Sequence, residues 1–252
     1  MKIPHGHYPT FADSPANILI SLHLPKTGGS TFSRLLKSSA GRLWFKDYTD
    51  RPSQEQYTER KIGNLWEDCQ RYDEVFQAAR NYPEKVVVIH GHFYATKYNH
   101  VFPDAMKAVW LRDPVERVVS QYYFWQRKPD MNNQFCRQML EQELDLLQFA
   151  ALPGVSDLQS RYLAAHSIDE FTFVGLTEQY DDGLQVFCNM FDIVMPAKLK
   201  TRNVNEQRQG SHYKLAAEQR RVLEELNAND LAVYDQAQAR FESLSRQYGD
   251  LA

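Results

Sequence analysis

Three short runs in this sequence combine residue types that can handle an anion and a proton. The first is Lys26-Thr27-Gly28-Gly29-Ser30-Thr31. A glycine pair lets the backbone approach an anion closely, and a following helix N-terminus offers free N–H groups and a partial positive charge. Ser30 and Thr31 add hydroxyl donors and Lys26 adds a full charge. The run is not a Walker A loop, because there the lysine follows the glycines and here it precedes them. A plain glycine turn beside a solvated lysine is the alternative. The second run is Arg112-Asp113-Pro114 through Ser120. An arginine ending a strand grips phosphate bidentately, and a serine two turns into the next helix can donate another hydrogen bond. The competing reading makes Arg112 a sheet-capping ion pair. The third is His90-Gly91-His92, where residues i and i+2 of an extended segment point the same way and two imidazoles face one site. No cysteine or carboxylate at a convincing spacing offers a third metal ligand, so no metal is expected, and a pair of structural histidines is the alternative.

The elements around these runs are regular. Asn17 to Leu22 reads as a strand buried on both faces, since its apolar run lacks polar alternation. The glycine loop follows, then Phe32, Leu35 and Leu36 at helical spacing. The mixed stretch Trp44 to Arg80 holds a helix ending before Tyr82-Pro83. Lys85 to His90 and Lys107 to Leu111 are β-branched or apolar strands. Asp113 and Pro114 suit the cap and first turn of a helix whose stripe is Val115, Val118, Val119, Tyr122 and Tyr123. A helical pattern runs from Gln134 to Phe149, broken by Pro153-Gly154. Phe171 to Leu176 is the fourth strand, followed by a helix over Gly183 to Phe191. Leu215 to Leu244 is helical, recapped at Asn229-Asp230, with Leu231, Tyr234, Ala237, Phe241 and Leu244 facing the core. Strands separated by helices predict an α/β fold with a mainly parallel central sheet flanked by helices. In such sheets ligands sit at the carboxyl ends of strands, where all three runs fall.

The chain has 252 residues, a formal net charge of −3, 43% hydrophobic and 24% charged residues, which excludes collagen, low-complexity and rod-like classes. No repeat or linker divides it, so 1–252 is taken as one domain with an extended leader (1–16) and C-terminal helices (211–252). The mild acidity argues against a broad nucleic-acid surface. No run reaches the roughly 18 apolar residues of a membrane span, and residues 1–16 lack the apolar region of a signal peptide. Cys69, Cys136 and Cys188 form no CxxC pair and read as reduced thiols, so a cytoplasmic location is expected.

Taken together, the first two runs resemble the nucleotide-binding motifs of the sulfotransferases that use 3′-phosphoadenosine 5′-phosphosulfate (PAPS). Pro25 to Thr31 is similar to that family's P-loop-like 5′-phosphosulfate loop, which implies that Lys26, Thr27, Gly28, Gly29, Ser30 and Thr31 bind the donor. Arg112 to Ser120, continuing through Gln121-Tyr122-Tyr123, is similar to its 3′-phosphate motif, which implies that Arg112 and Ser120 hold that phosphate. His90-Gly91-His92-Phe93 resembles the His-Gly-His motif of the heparan sulfate 2-O-sulfotransferase branch, where a histidine is the base. Gly175-Leu176-Thr177-Glu178 also matches a segment of that branch. The resemblance runs from about Ile18 to Phe191 in motif order, and it transfers the donor and the type of base rather than the acceptor.

The resulting expectation is transfer of a sulfuryl group from PAPS to a hydroxyl of a glycan or small metabolite. His92 is the expected base, with His90 second or orienting it, and Lys26 stabilises the leaving oxygen. Arg161, in Gln159-Ser160-Arg161, resembles a lid residue over the nucleotide or is an exposed helix arginine. Arg202 reaches the phosphate or sits in a solvated turn. The run Tyr122 to Trp125 divides between core and acceptor cleft. A kinase-like phosphoryl-transfer enzyme and an inactive nucleotide-binding protein are the competing functions.

Overall fold

The computed structural model of the chain describes residues 15, 17–48, 50, 65–99, 101–164, 166–196 and 213–249, without the side chains of 65–71. Most of the leader, Arg202 and the side chain of Cys69 lie outside the described residues.

Among the described residues, five strands form one parallel sheet in the order β2-β3-β1-β4-β5: β1 Ile18–Leu22, β2 Trp44–Asp47, β3 Val87–Gly91, β4 Met106–Leu111 and β5 Phe173–Leu176. The register pairs Ile20 with Ile89 on one side of β1 and with Lys107 on the other. Every residue of β1, β3 and β5 is buried. That is the expected state of strands covered on both faces, whose sequences read as continuous apolar runs. The strand that sequence reading misses is β2. It is an edge strand of four residues whose Trp44 and Phe45 are half-buried and whose Lys46 is exposed, so it carries neither an apolar run nor a clean alternation.

Helix α1 (Gly29–Ala40) leaves the glycine loop and buries Phe32, Leu35 and Leu36 against the sheet. Phe32 meets Trp110 and Phe187 edge-on at 5.5 and 4.8 Å, locking α1 to β4 and to α7 (Tyr180–Met190). Helix α2 (Leu65–Asn81) precedes β3. Helix α3 (Pro114–Arg127) starts as read: the Asp113 carboxylate accepts from Glu116 N at 3.0 Å, and Pro114 occupies the first turn.

The single helix expected over Gln134 to Phe149 is two, α4 (Gln134–Glu141) and α5 (Leu146–Ala150). Glu143 adopts φ 50° and Asp145 opens a new capping box with Gln148. Helix α6 (Leu158–Leu163) follows. At the C-terminus α8 (Ala217–Leu226) and α9 (Ala228–Tyr248) meet at Asn227, two residues earlier than expected. The shift places Asp230, fully buried, on the inner stripe with Tyr234, Ala237, Phe241 and Leu244, while Leu231 is only half-buried. A second apolar cluster beside the main core joins α3, α4, α5 and α8 through Val115, Trp125, Phe149 and Leu223. No helix among the described residues is long and apolar enough to cross a membrane.

Candidate functional site

Because all five strands are parallel, their carboxyl ends share one edge of the sheet. The chain leaves β1 toward β2 and β3 on one side and reaches β4 and β5 on the other, which opens a crevice at β1. Each strand delivers at least one polar group there: Tyr48 after β2, His92 after β3, His23 and Lys26 after β1, Arg112 after β4 and Glu178 after β5. Hence the imidazoles lie on the β2–β3–β1 half and the guanidinium on the β4–β5 half, with the glycine loop between.

In the loop, Lys26 and Gly28 both take left-handed backbone, with φ of 70° and 83°. This is permissive for glycine and costly for lysine. The turn is fastened by Thr27, whose hydroxyl donates to Leu24 O at 3.0 Å, and by Tyr180, whose hydroxyl donates to Gly28 O at 2.8 Å. Gly28 stands at the N-cap of α1, which has no side-chain cap, Thr31 is buried, and Ser30 is exposed. The Lys26 ammonium stands 3.8 Å over the Phe124 ring. Burial, and after it the charges of Arg112, Arg127 and Lys128, pull the ammonium down to about 8. Lys26 thus sits among other cations, the electrostatic condition that favours an anion.

Arg112 is buried, and its guanidinium donates to Lys26 O at 3.2 Å. Glu178 lies 3.8 Å away and Glu116 4.0 Å away, so the ion-pair reading of this arginine is met as well as the placement beside the loop. Its backbone is held by a residue that sequence reading did not single out for this. The buried Gln159 amide accepts from Arg112 N at 2.9 Å and donates to Arg112 O at 2.8 Å, imitating a neighbouring strand where the sheet has ended. Gln159 is set in turn by Asp230. That carboxylate accepts from Gln159 N, Ser160 N and the Ser160 hydroxyl at 3.0, 2.7 and 2.8 Å, capping α6 from another helix.

Ser120 is buried on α3, at helical spacing between Glu116 and Phe124, which face Arg112 and Lys26 respectively. The helix thereby brings Ser120 to the same side as both cations. The aromatic run divides as its partners require: Phe124 goes under Lys26, whereas Trp125 packs edge-on to Phe149 at 5.7 Å in the second cluster. Arg161 is half-buried and donates to Pro153 O at 2.6 Å and Ser156 O at 3.4 Å, so it is tied to the preceding loop rather than projecting from its helix. Beneath it lies Arg117, fully buried, which donates to Val155 O and which burial lowers to about 10 against the raising effect of Asp230.

On the other half, Gly91 is required between the two histidines, since a Cβ there would lie 1.3 Å from the Asp47 carbonyl oxygen of β2. His90 is enclosed in the sheet, its Nδ1 2.9 Å from the Ser21 hydroxyl and its Nε2 without a partner among the described residues. His92 is half-buried, and its Nδ1 hydrogen-bonds the carbonyl oxygen of His23. That bond requires Nδ1 to carry the proton, which leaves the Nε2 lone pair free to accept one. Burial lowers His90 to about 3, with His92 adding to the effect, and lowers His92 to about 4. Both are therefore neutral at pH 7.

His23 is the third imidazole and no motif announced it. Its ring stacks on His92 at 4.5 Å and on His90 at 5.1 Å, and its Nδ1 lies 2.7 Å from the Tyr48 hydroxyl. Burial, then the two neighbouring histidines, holds it well below its ordinary value.

Across residues 9–237 the chain matches the model of the sulfotransferase family. None of the curated proteins compared with it matches. Among solved structures it is similar to the crystal structure of a sulfotransferase from Alicyclobacillus acidocaldarius, with 19% identity over 90% of this chain and 95% of that one, at a TM-score of 0.46. Since the family match spans nearly its whole length, this chain belongs to the sulfotransferase family.

Proposed function

We propose that the protein transfers the sulfuryl group of PAPS to an acceptor hydroxyl, with His92 as general base. The observation that carries this reading is the pairing, across one sheet edge, of an imidazole with a fixed open nitrogen and a glycine loop whose Lys26 stands beside Arg112. Sulfuryl transfer parallels phosphoryl transfer, where the protein chiefly positions groups and stabilises charge. In the displacement the acceptor oxygen forms a bond to sulfur while the bond from sulfur to the 5′-phosphate oxygen breaks. The acceptor proton goes to His92 Nε2, and the adenosine 3′,5′-bisphosphate departs.

The residues fit that substrate. Lys26 and the N–H groups opening α1 meet the 5′ end and the oxygen that gains charge as the bond breaks. Arg112 and Ser120 meet the 3′-phosphate, which enters by exchanging with the distant carboxylates of Glu116 and Glu178. Thr27, Gly28, Gly29, Ser30 and Thr31 shape the loop, and Arg161 would close the nucleotide side only by leaving its bonds to Pro153 O and Ser156 O. A neutral imidazole needs no prior deprotonation, and a positioned base is typically worth about 10²–10⁴ in rate. The acceptor is a sugar or other alcohol hydroxyl. His90, enclosed beneath His23, keeps the stack in place rather than touching the acceptor.

The test is thermal stabilisation by 3′-phosphoadenosine 5′-phosphate against ATP, ADP and GTP, followed by an acceptor panel with radiolabelled donor. Selective stabilisation by the bisphosphate, abolished in the double variant Arg112→Ala, Ser120→Ala, supports the reading. Equal response to ATP, or full binding by the double variant, refutes it.

A further inference from the structure

The strongest unassigned chemistry on this edge is His23. Its position is unusual in a way that geometry makes specific. A Cβ built on Gly29 would lie 2.0 Å from both Nε2 and Cδ2 of His23, so the imidazole rests on the first residue of α1 with Nε2 at the mouth of the glycine loop. Its opposite nitrogen, Nδ1, is occupied by the Tyr48 hydroxyl at 2.7 Å, and Tyr48 meets the neighbouring His92 edge-on at 4.7 Å. The backbone is pinned too, because His23 N donates to Gly91 O at 2.8 Å and His23 O accepts from His92. One residue thus touches the loop with its ring and the His92 imidazole with its carbonyl.

We infer that His23 is a catalytic residue: Tyr48 donates to Nδ1, which places the ring proton on Nε2, and that N–H donates to an oxygen of the sulfuryl group in transit. The inference rests on the sulfuryl-transfer reading above and adds a ligand for the group transferred. Loop amides and Lys26 neutralise the departing phosphate side; the sulfuryl oxygens, acceptor-only, need a donor between the loop and the base, and His23 is the ring located there. A neutral imidazole is suited to this, since it donates a hydrogen bond without giving up its proton to the substrate. Its stack on His92 also places it to face the imidazolium formed when His92 takes the acceptor proton.

The two histidines therefore have opposite tautomers. His92 carries its proton on Nδ1 and accepts at Nε2, whereas His23 accepts at Nδ1 and donates at Nε2. Both settings come from partners within the fold, the His23 carbonyl and the Tyr48 hydroxyl.

The experiment compares dissociation constants for PAPS and for 3′-phosphoadenosine 5′-phosphate, which differ only in the sulfonate, in the wild type, His23→Leu, His23→Gln and Tyr48→Phe. His23→Leu is expected to weaken PAPS about tenfold more than the bisphosphate, in keeping with loss of one hydrogen bond to an anion. Donor hydrolysis to sulfate, transfer to water in place of the acceptor, is expected to fall about 100-fold, as when one donor to a developing anion is removed. His23→Gln keeps an N–H near Nε2 and is expected to recover part of both. In the wild type, 15N NMR is expected to report the Nε2–H tautomer for His23, and a mixture of tautomers in Tyr48→Phe. Equal weakening of both nucleotides by His23→Leu, or an Nδ1–H tautomer in the wild type, overturns the inference and leaves the donor reading standing. If the wild type binds neither nucleotide, the donor reading fails and this inference with it. Should His23→Leu not fold, the tautomer and the His23→Gln comparison decide the matter.

Discussion

Lowering the pH should unfold this protein through its histidine cluster, and His90 allows the effect to be isolated. Buried and neutral, His90 is lowered to about 3 by burial and by His92, against an ordinary value of 6.5. A group so depressed contributes nothing at pH 7, where the unfolded chain is also largely unprotonated. As pH falls below 6.5 the unfolded chain binds a proton that the folded chain refuses, so folding stability declines until about pH 3. For one site the slope is about 1.4 kcal/mol per pH unit, which amounts to roughly 2.7 kcal/mol between pH 6.5 and 4.5. His92, lowered to about 4, adds nearly the same over that interval, and His23 shifts in the same direction. The combined loss is of the order of the 5–15 kcal/mol that holds typical domains folded. Asp230 acts the other way, since burial raises its carboxyl, so the absolute slope is a sum and the informative quantity is a difference. His90→Asn puts an amide where Nδ1 meets the Ser21 hydroxyl and removes the titrating ring. Urea titrations every half unit from pH 4.5 to 7.5 should give an acid limb for His90→Asn shallower than wild type by about 1.4 kcal/mol per unit. Parallel limbs would refute the assignment of His90 as a buried, neutral ring.

Four further outcomes are expected. Affinity for 3′-phosphoadenosine 5′-phosphate should fall as pH rises above about 8, because free Lys26 loses its proton there and must regain it to meet the anion; calorimetry in buffers of differing ionisation heat should detect proton uptake, absent in Lys26→Gln. His92→Ala should abolish turnover while leaving bisphosphate affinity within about twofold, since a base contributes about 10²–10⁴ in rate and touches the acceptor side. Gln159→Leu removes the two Gln159 bonds to the Arg112 backbone, costing about 1–3 kcal/mol in chemical denaturation and weakening the bisphosphate through a displaced Arg112. Gly91→Ala should lower Tm sharply or prevent folding, because its Cβ would overlap the Asp47 carbonyl and only separation of β2 from β3 relieves the contact.

Local order determined much of this protein. The largely apolar runs at 18–22, 87–89 and 108–111 are buried strands, legible because they are short and set between turn signals, as strands of a sheet covered on both faces are. The Asp113-Pro114 start of α3 was equally legible, since a cap acts within four residues. So was the association of the glycine loop, Arg112 and His92, each of which follows its strand directly. Edge strand β2 was not legible, because a four-residue strand with one protected face leaves almost no hydrophobic period. The split of Gln134 to Phe149 comes from left-handed Glu143 and the capping box of Asp145 with Gln148, to both of which the apolar period is blind.

Only the tertiary structure decided how the site is held. Gln159 reaches Arg112 across 47 positions, Asp230 caps α6 across about 70, and His23 meets His92 across 69. Such pairs have no spacing to recognise, for the partners are brought together by the order of strands in the sheet. The sequence alone places a histidine at 23, an ordinary polar residue beside a loop. The parallel sheet, by aligning the ends of β1, β2 and β3, is what sets that ring against Gly29, Tyr48 and His92 at once.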